Sequence, residues 1–221
     1  GKTLFPGKIN DFFKKSIAMR KYFDEVNRAE EKFFNKNKFI NKNVRTKFIK
    51  QGDINYLQKR DISEALGADL YIIFGASYIK GWLVNYLIKK KAINIHMGLS
   101  PFYRGSSCNF WAIYDNNPEY VGATIHLLSK GLDNGKILCH CLPNINKSNV
   151  FEYTMSSVLS AHKCLKKMIK NKKILKLKPV KQNRSFQIKY TKNKDFNDKV
   201  IQRFFDRRLK ILKFKNNIEK S

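Results

Sequence analysis

Two short apolar runs decide the fold: Leu70-Tyr71-Ile72-Ile73-Phe74, closed by Gly75, and Ala92-Ile93-Asn94-Ile95-His96. The first shows no polar alternation, so it reads as a strand covered on both faces, the pattern of a parallel sheet. Between the two, Ile79, Leu83 and Leu87 recur at helical spacing over residues 79–91. A strand, a helix and a second strand in that order make a β-α-β unit, which places the chain in the α/β class.

Working outward, residues 62–66 read as a short helix, and residues 11–38 as an amphipathic helical region carrying Phe12, Ile17, Tyr22, Phe23, Val26, Phe33 and Phe34 among charges. Downstream, residues 109–114 read as a helix. Residues 121–128 and 136–142 read as strands joined by the tight loop 129–135, and 150–170 as a long helix with Phe151, Val158, Leu159, Leu165 and Ile169. A strand over 185–190 and a final helix over 196–214 complete the pattern. The fold expected is a doubly wound, Rossmann-like one with a mainly parallel sheet. No buried strand precedes Leu70, so an N-terminal truncation that removes a first β-α-β segment is also expected.

A chain of 221 residues holds one main core, and 43% hydrophobic residues with only 11 Gly and 5 Pro exclude a fibrous or wholly disordered polymer. No apolar run approaches the roughly 20 residues that span a bilayer, and residues 1–10 lack a secretory signal, so a soluble cytoplasmic protein is expected. The formal charge of +28 is uneven: residues 51–162 carry 10 basic and 8 acidic side chains, residues 163–221 carry 21 and 4. Either a polyanionic partner or simple lysine-rich solvated faces accounts for that excess. Cys108, Cys139, Cys141 and Cys164 are unevenly spaced and read as free thiols. The Cys139-His140-Cys141 run alternates along a strand, which turns His140 away from both sulfurs, so no metal is expected.

Asn94 and His96 lie two apart on an apolar strand and therefore project from one face. Seen alone, they are either satisfied core groups or a reactive pair. The sequence continues Met97-Gly98-Leu99-Ser100-Pro101-Phe102-Tyr103-Arg104-Gly105, then Gly122-Ala123-Thr124-Ile125-His126, then Gly131-Leu132-Asp133-Asn134-Gly135. Over about residues 66–170 this resembles the formyltransferases that use 10-formyltetrahydrofolate. Their signature is Asn-x-His, a Ser/Leu/Pro-rich loop ending in Arg-Gly, a Gly-x-Thr-x-His strand and a Gly-x-Asp-x-Gly loop. Two departures stand out: Met97 replaces the usual Pro after the His, and Gly98-Leu99-Ser100 replaces the usual Ser-Leu-Leu.

The resemblance implies an N-formyltransferase with Asn94, His96 and Asp133 as catalytic residues and Thr124 and His126 supporting Asp133. It implies folate contacts at Gly75, Tyr78, Ile79, Lys130, Gly131 and Leu132, with Phe74 and Trp82 either there or in the core. Acceptor contacts are implied at Pro101, Arg104 and Gly105, with 10-formyltetrahydrofolate as co-substrate and no metal. It divides the chain into a catalytic domain, residues 1–172, and a Lys-rich C-terminal extension, residues 173–221. The implied acceptor is a phosphate-bearing amine, first an amino sugar on a nucleotide; methionyl-tRNA and a non-catalytic nucleic-acid-binding relic are the alternatives. Monomer and homodimer both stay open.

Overall fold

A computed structural model describes residues 15–34, 43–144 and 149–207. Phe12 and residues 208–214 of the expected terminal helices lie outside these. The chain runs α1 (Ile17–Phe34), β1 (Ile72–Phe74), α2 (Gly81–Lys89), β2 (Ile93–His96), β3 (Tyr103–Gly105), α3 (Cys108–Tyr114), β4 (Ala123–Leu127), β5 (Ile137–Cys141), α4 (Val150–Lys170), β6 (Lys189–Thr191) and α5 (Asp198–Asp206), with 3-10 turns between, one of them over Lys59–Gly67.

The main sheet has the order β1-β2-β4-β5, and β3 and β6 form a separate two-stranded sheet. Helices cover both faces of the main sheet, which agrees with a doubly wound α/β fold. On one face, Ile93, Ile95, Ala123 and Ile125 pack on Ala161 and Leu165 of α4. On the other, Ile73 and Ala92 meet Leu83, Val84 and Leu87 of α2. The caps fit the helix ends: the Asn149 side chain accepts from the Glu152 amide at 2.8 Å at the start of α4, and Asn197 accepts from the Val200 amide at 3.2 Å at the start of α5.

Three expectations need correction. In the main sheet the parallel character is confined to β1–β2, because β2–β4 and β4–β5 are antiparallel; the β4–β5 connection is a tight loop, which only an antiparallel pair can use. The 70–74 run is not covered on both faces. Only residues 72–74 pair, at the edge of the described sheet, and Ile72 and Phe74 remain 46% and 44% exposed beside α4. Nor do residues 173–207 form a separate extension: β6 pairs with β3 in parallel, and Ile201 and Phe204 of α5 are buried in a core with Tyr103, Phe110, Trp111 and Tyr153.

Candidate active site

The antiparallel register sets Asn94 opposite His126 and His96 opposite Thr124. Residues directly opposite share a face, so four polar side chains gather on one side of two adjacent buried strands. The Asn94 amide Nδ2 donates to His126 Nε2 at 3.0 Å, and His126 Nδ1 donates to the Leu127 carbonyl at 2.8 Å. These two bonds suit a neutral ring with its hydrogen on Nδ1. Burial, the larger influence, pulls the His126 pKa below the ordinary imidazole value, against the Leu127 carbonyl that raises it.

Asp133 comes to this face from the β4–β5 loop, where it takes a left-handed backbone conformation with φ of 47°. Its Oδ1 lies 3.3 Å from His96 Nδ1 and 3.9 Å from His126 Nε2, with the carboxylate 11% exposed. The other His96 nitrogen, Nε2, faces the Tyr103 carbonyl at 3.4 Å. His96 thus stands between two acceptors, at distances long enough to tighten when a ligand arrives.

Asn94, His96, His126 and Asp133 line a cavity of about 280 Å3, whose other walls are the 75–79 loop, Val84, Leu128 and the Gly131–Leu132 turn. Gly75, Tyr78, Ile79, Gly131 and Leu132, marked out by sequence, all line it. Lys130 does not; its carbonyl accepts from the Tyr78 hydroxyl at 2.6 Å, which ties the two walls together. Phe74 stacks edge-on against His162 of α4, and the Trp82 Nε1 donates to the Leu57 carbonyl at 2.8 Å, so both belong to packing.

Residues 27–169 match the family described as Formyl transferase. The chain belongs to that family. Among curated relatives, a methionyl-tRNA formyltransferase of Synechococcus sp. (strain JA-3-3Ab) is 37% identical over 75 residues, covering 34% of this chain and 23% of that protein. The mitochondrial formyltetrahydrofolate deformylase 2 of Arabidopsis thaliana is 28% identical over 127 residues, covering 56% and 38%. Among solved structures, a 4-N formyltransferase from Francisella tularensis superposes with a TM-score of 0.50 at 24% identity, covering 63% of this chain and 57% of that one. The chain therefore spans well under half of these curated relatives. The structural likeness carries the fold, and the formyl transferase family gives the cavity its context.

Around this cavity, several side chains sit where sequence reasoning did not place them. Thr124 makes its bonds to the loop after His96, donating to the Gly98 carbonyl at 2.6 Å and accepting from the Ser100 amide at 2.9 Å. Its support goes to that loop and not to Asp133. Arg104 is buried, with Nη2 on the Leu132 carbonyl at 2.8 Å and Nη1 on Gln187 at 3.0 Å. Pro101 is buried too, and neither it nor Arg104 lines the cavity, whereas Gly105 does. Arg104 is therefore a positioning residue for the Asp133 loop.

Gln182 was missed altogether. Its Nε2 donates to the carbonyls of Asp133 at 2.9 Å and Gly135 at 2.7 Å, pinning the loop from outside the matched region. It lies in a Lys-rich stretch with no motif to mark it. Gly98 supplies the replacement for the usual loop sequence: a Cβ there would meet His96 Nε2 at 2.8 Å and the Cys108 Cβ at 2.5 Å. At Gly135 a Cβ would fall 1.6 Å from the Leu127 carbonyl oxygen, so only glycine lets the Asp133 loop close on β4.

Proposed function

We propose that this chain transfers a formyl group from 10-formyltetrahydrofolate to the primary amine of a phosphate-bearing acceptor, first an amino sugar on a nucleotide. One observation carries the reading: Asn94, His96 and Asp133 converge on the wall of one cavity, with the Asp133 carboxylate 3.3 Å from the His96 ring. The folate derivative, when bound, supplies the formyl carbon and leaves as tetrahydrofolate. Asn94 spends one amide hydrogen on His126 and keeps a second for the carbonyl oxygen that gains charge as the amine attacks. His96 becomes the second donor to that oxygen when its Nε2 exchanges the long, 3.4 Å contact with the Tyr103 carbonyl for the ligand. Asp133 accepts the proton that the amine nitrogen releases, directly or through water. The wall of Gly75, Tyr78, Ile79, Gly131 and Leu132 holds the pterin.

A phosphate-bearing acceptor fits the excess of positive charge in residues 163–221. Methionyl-tRNA is the second reading, supported by the 37% identical cyanobacterial relative. The test is to incubate the full chain with 10-formyltetrahydrofolate and, separately, an amino-sugar nucleotide or methionyl-tRNA, and to measure formylated product by mass. N-formylation of the sugar nucleotide is the expected result. Formylated methionyl-tRNA alone transfers the assignment to the second reading, and formate without formylated amine overturns amine transfer.

A further inference from the structure

Three of the four cysteines of this chain meet on the far side of the sheet from the catalytic face. Cys139 and Cys141 are two apart on β5, so their side chains share a face, and the register pairs them with Ile125 and Ala123. Those partners belong to the side covered by α4, which brings Cys164 against both. The three sulfurs lie within 4.8 Å of one another, and all are free thiols. His140, between the two strand cysteines, points the other way and bonds the Ser100 carbonyl at 2.8 Å. The sequence reading was right about that residue's direction, but the conclusion drawn from it overlooked the helix: the third sulfur comes from α4, and the histidine is not needed.

We propose that Cys139, Cys141 and Cys164 form a binding site for one thiophilic d10 metal cation, zinc or cuprous. The donor set is sulfur alone, which suits soft cations and excludes calcium, magnesium and manganese. Four-coordinate zinc thiolates have Zn–S bonds of about 2.3 Å, which puts sulfurs about 3.8 Å apart. The sulfur triangle, with sides of at most 4.8 Å, is therefore within about 1 Å per side of that size. Cys141 is buried, while Cys139 and Cys164 are partly exposed, so an ion reaches the site from solvent and then lies under α4.

Binding forms three metal–sulfur bonds and releases the thiol protons of the three cysteines to solvent, with no change of oxidation state. Lys167, beside Cys164, offsets part of the excess negative charge. Among the described residues no His, Asp or Glu adds a fourth ligand, so water fills it for zinc, and a cuprous ion takes the three sulfurs alone.

The test uses the full chain, reduced and freed of metal, titrated with zinc chloride and, in an anaerobic arm, with a cuprous salt. Native mass spectrometry counts bound metal, and alkylation followed by peptide mapping reports which thiols it protects. One cation per chain is expected, with protection of Cys139 and Cys164 and a rise in melting temperature. Cys139→Ala and Cys164→Ala should each weaken binding at least about a hundredfold, because removing a ligand costs no less than the 10–100-fold of an outer-shell change. Binding in the zinc arm alone or the cuprous arm alone names the ion and supports the site. Equal alkylation of Cys139 and Cys164 with and without both metals overturns it, and so does unchanged affinity in the two variants while their melting curves show them folded. Folate binding enters none of these readouts, so failure here leaves the proposed function standing.

Discussion

His96 is the residue on which the proposed chemistry turns, and its surroundings make separable demands on it. Asp133 on one side and the Tyr103 carbonyl on the other fix the ring, and Gly98 leaves it room. His96→Ala should lower turnover by at least about a hundredfold while folate affinity stays nearly unchanged, since a lost transition-state donor has that size. Steady-state kinetics beside a folate titration checks this; unchanged turnover would remove His96 from the mechanism. Gly98→Ala keeps Asn94, His96 and Asp133 but forces a shift at His96 or Cys108, so turnover should fall at least about tenfold in a protein that still folds. Circular dichroism with the same assay separates that result from misfolding.

The other three histidines share a direction. Burial lowers the pKa of His126, His140 and His162. In the unfolded chain each titrates near 6.5, so below that pH the unfolded state binds protons that the native rings refuse. Stability from these groups is therefore full above about pH 6.5 and is lost as pH falls below it toward the lowered folded values. Thermal melts should drop steadily between about pH 7 and pH 5. Melts that stay flat or rise over that range would contradict neutral buried rings.

At the scale of elements, the site depends on a loop held from three directions. Arg104 on β3, Gln182 before β6 and the Tyr78 hydroxyl each bond a carbonyl of residues 130–135. Gln182→Ala removes two hydrogen bonds to the Asp133 loop, for a cost of about 1–3 kcal/mol. A lower melting temperature and a fall in turnover larger than any rise in KM are expected; wild-type turnover would show that the loop holds without it.

The elements also show where the sequence was legible. The shared face of Asn94 and His96 was readable because a period of two is a local property of a strand, and the approach of Asp133 to that face because its loop carries the motif on which the family resemblance rests. The bonds of Arg104 and Gln182 to the Asp133 loop depend on chain segments far apart in sequence, which no local pattern encodes. The same limit hid the contact of Cys164 with β5. The exposure of Ile72 and Phe74 was missed because an apolar run records what its residues prefer, and the neighbours of β1 decide what they get.

For the whole molecule, a single cooperative unit follows from the way residues 173–207 are used. Thr191 donates to the Ser106 carbonyl at 2.6 Å, Ile201 is fully buried, and Phe204 packs among Tyr22, Phe110 and Phe151. A chain ended after residue 172 should therefore lose cooperative unfolding and expose apolar surface, because deleting Ile201 and Phe204 alone removes several kcal/mol, about 2–5 each. A sharp melt of the shortened chain would instead restore the two-part division. Among the described residues no helix is long and apolar enough to cross a membrane.

Folate recognition at the Asp133 cavity is the claim on which the acceptor and the mechanism both rest. Calorimetric titration of the full chain with a stable analogue of 10-formyltetrahydrofolate, repeated with Asp133→Asn, tests it before any acceptor is chosen. Micromolar binding at one site per chain, weakened by the substitution, is the expected result. A folded chain that binds no analogue, or binds it equally well with Asp133→Asn, would contradict a folate site in this cavity.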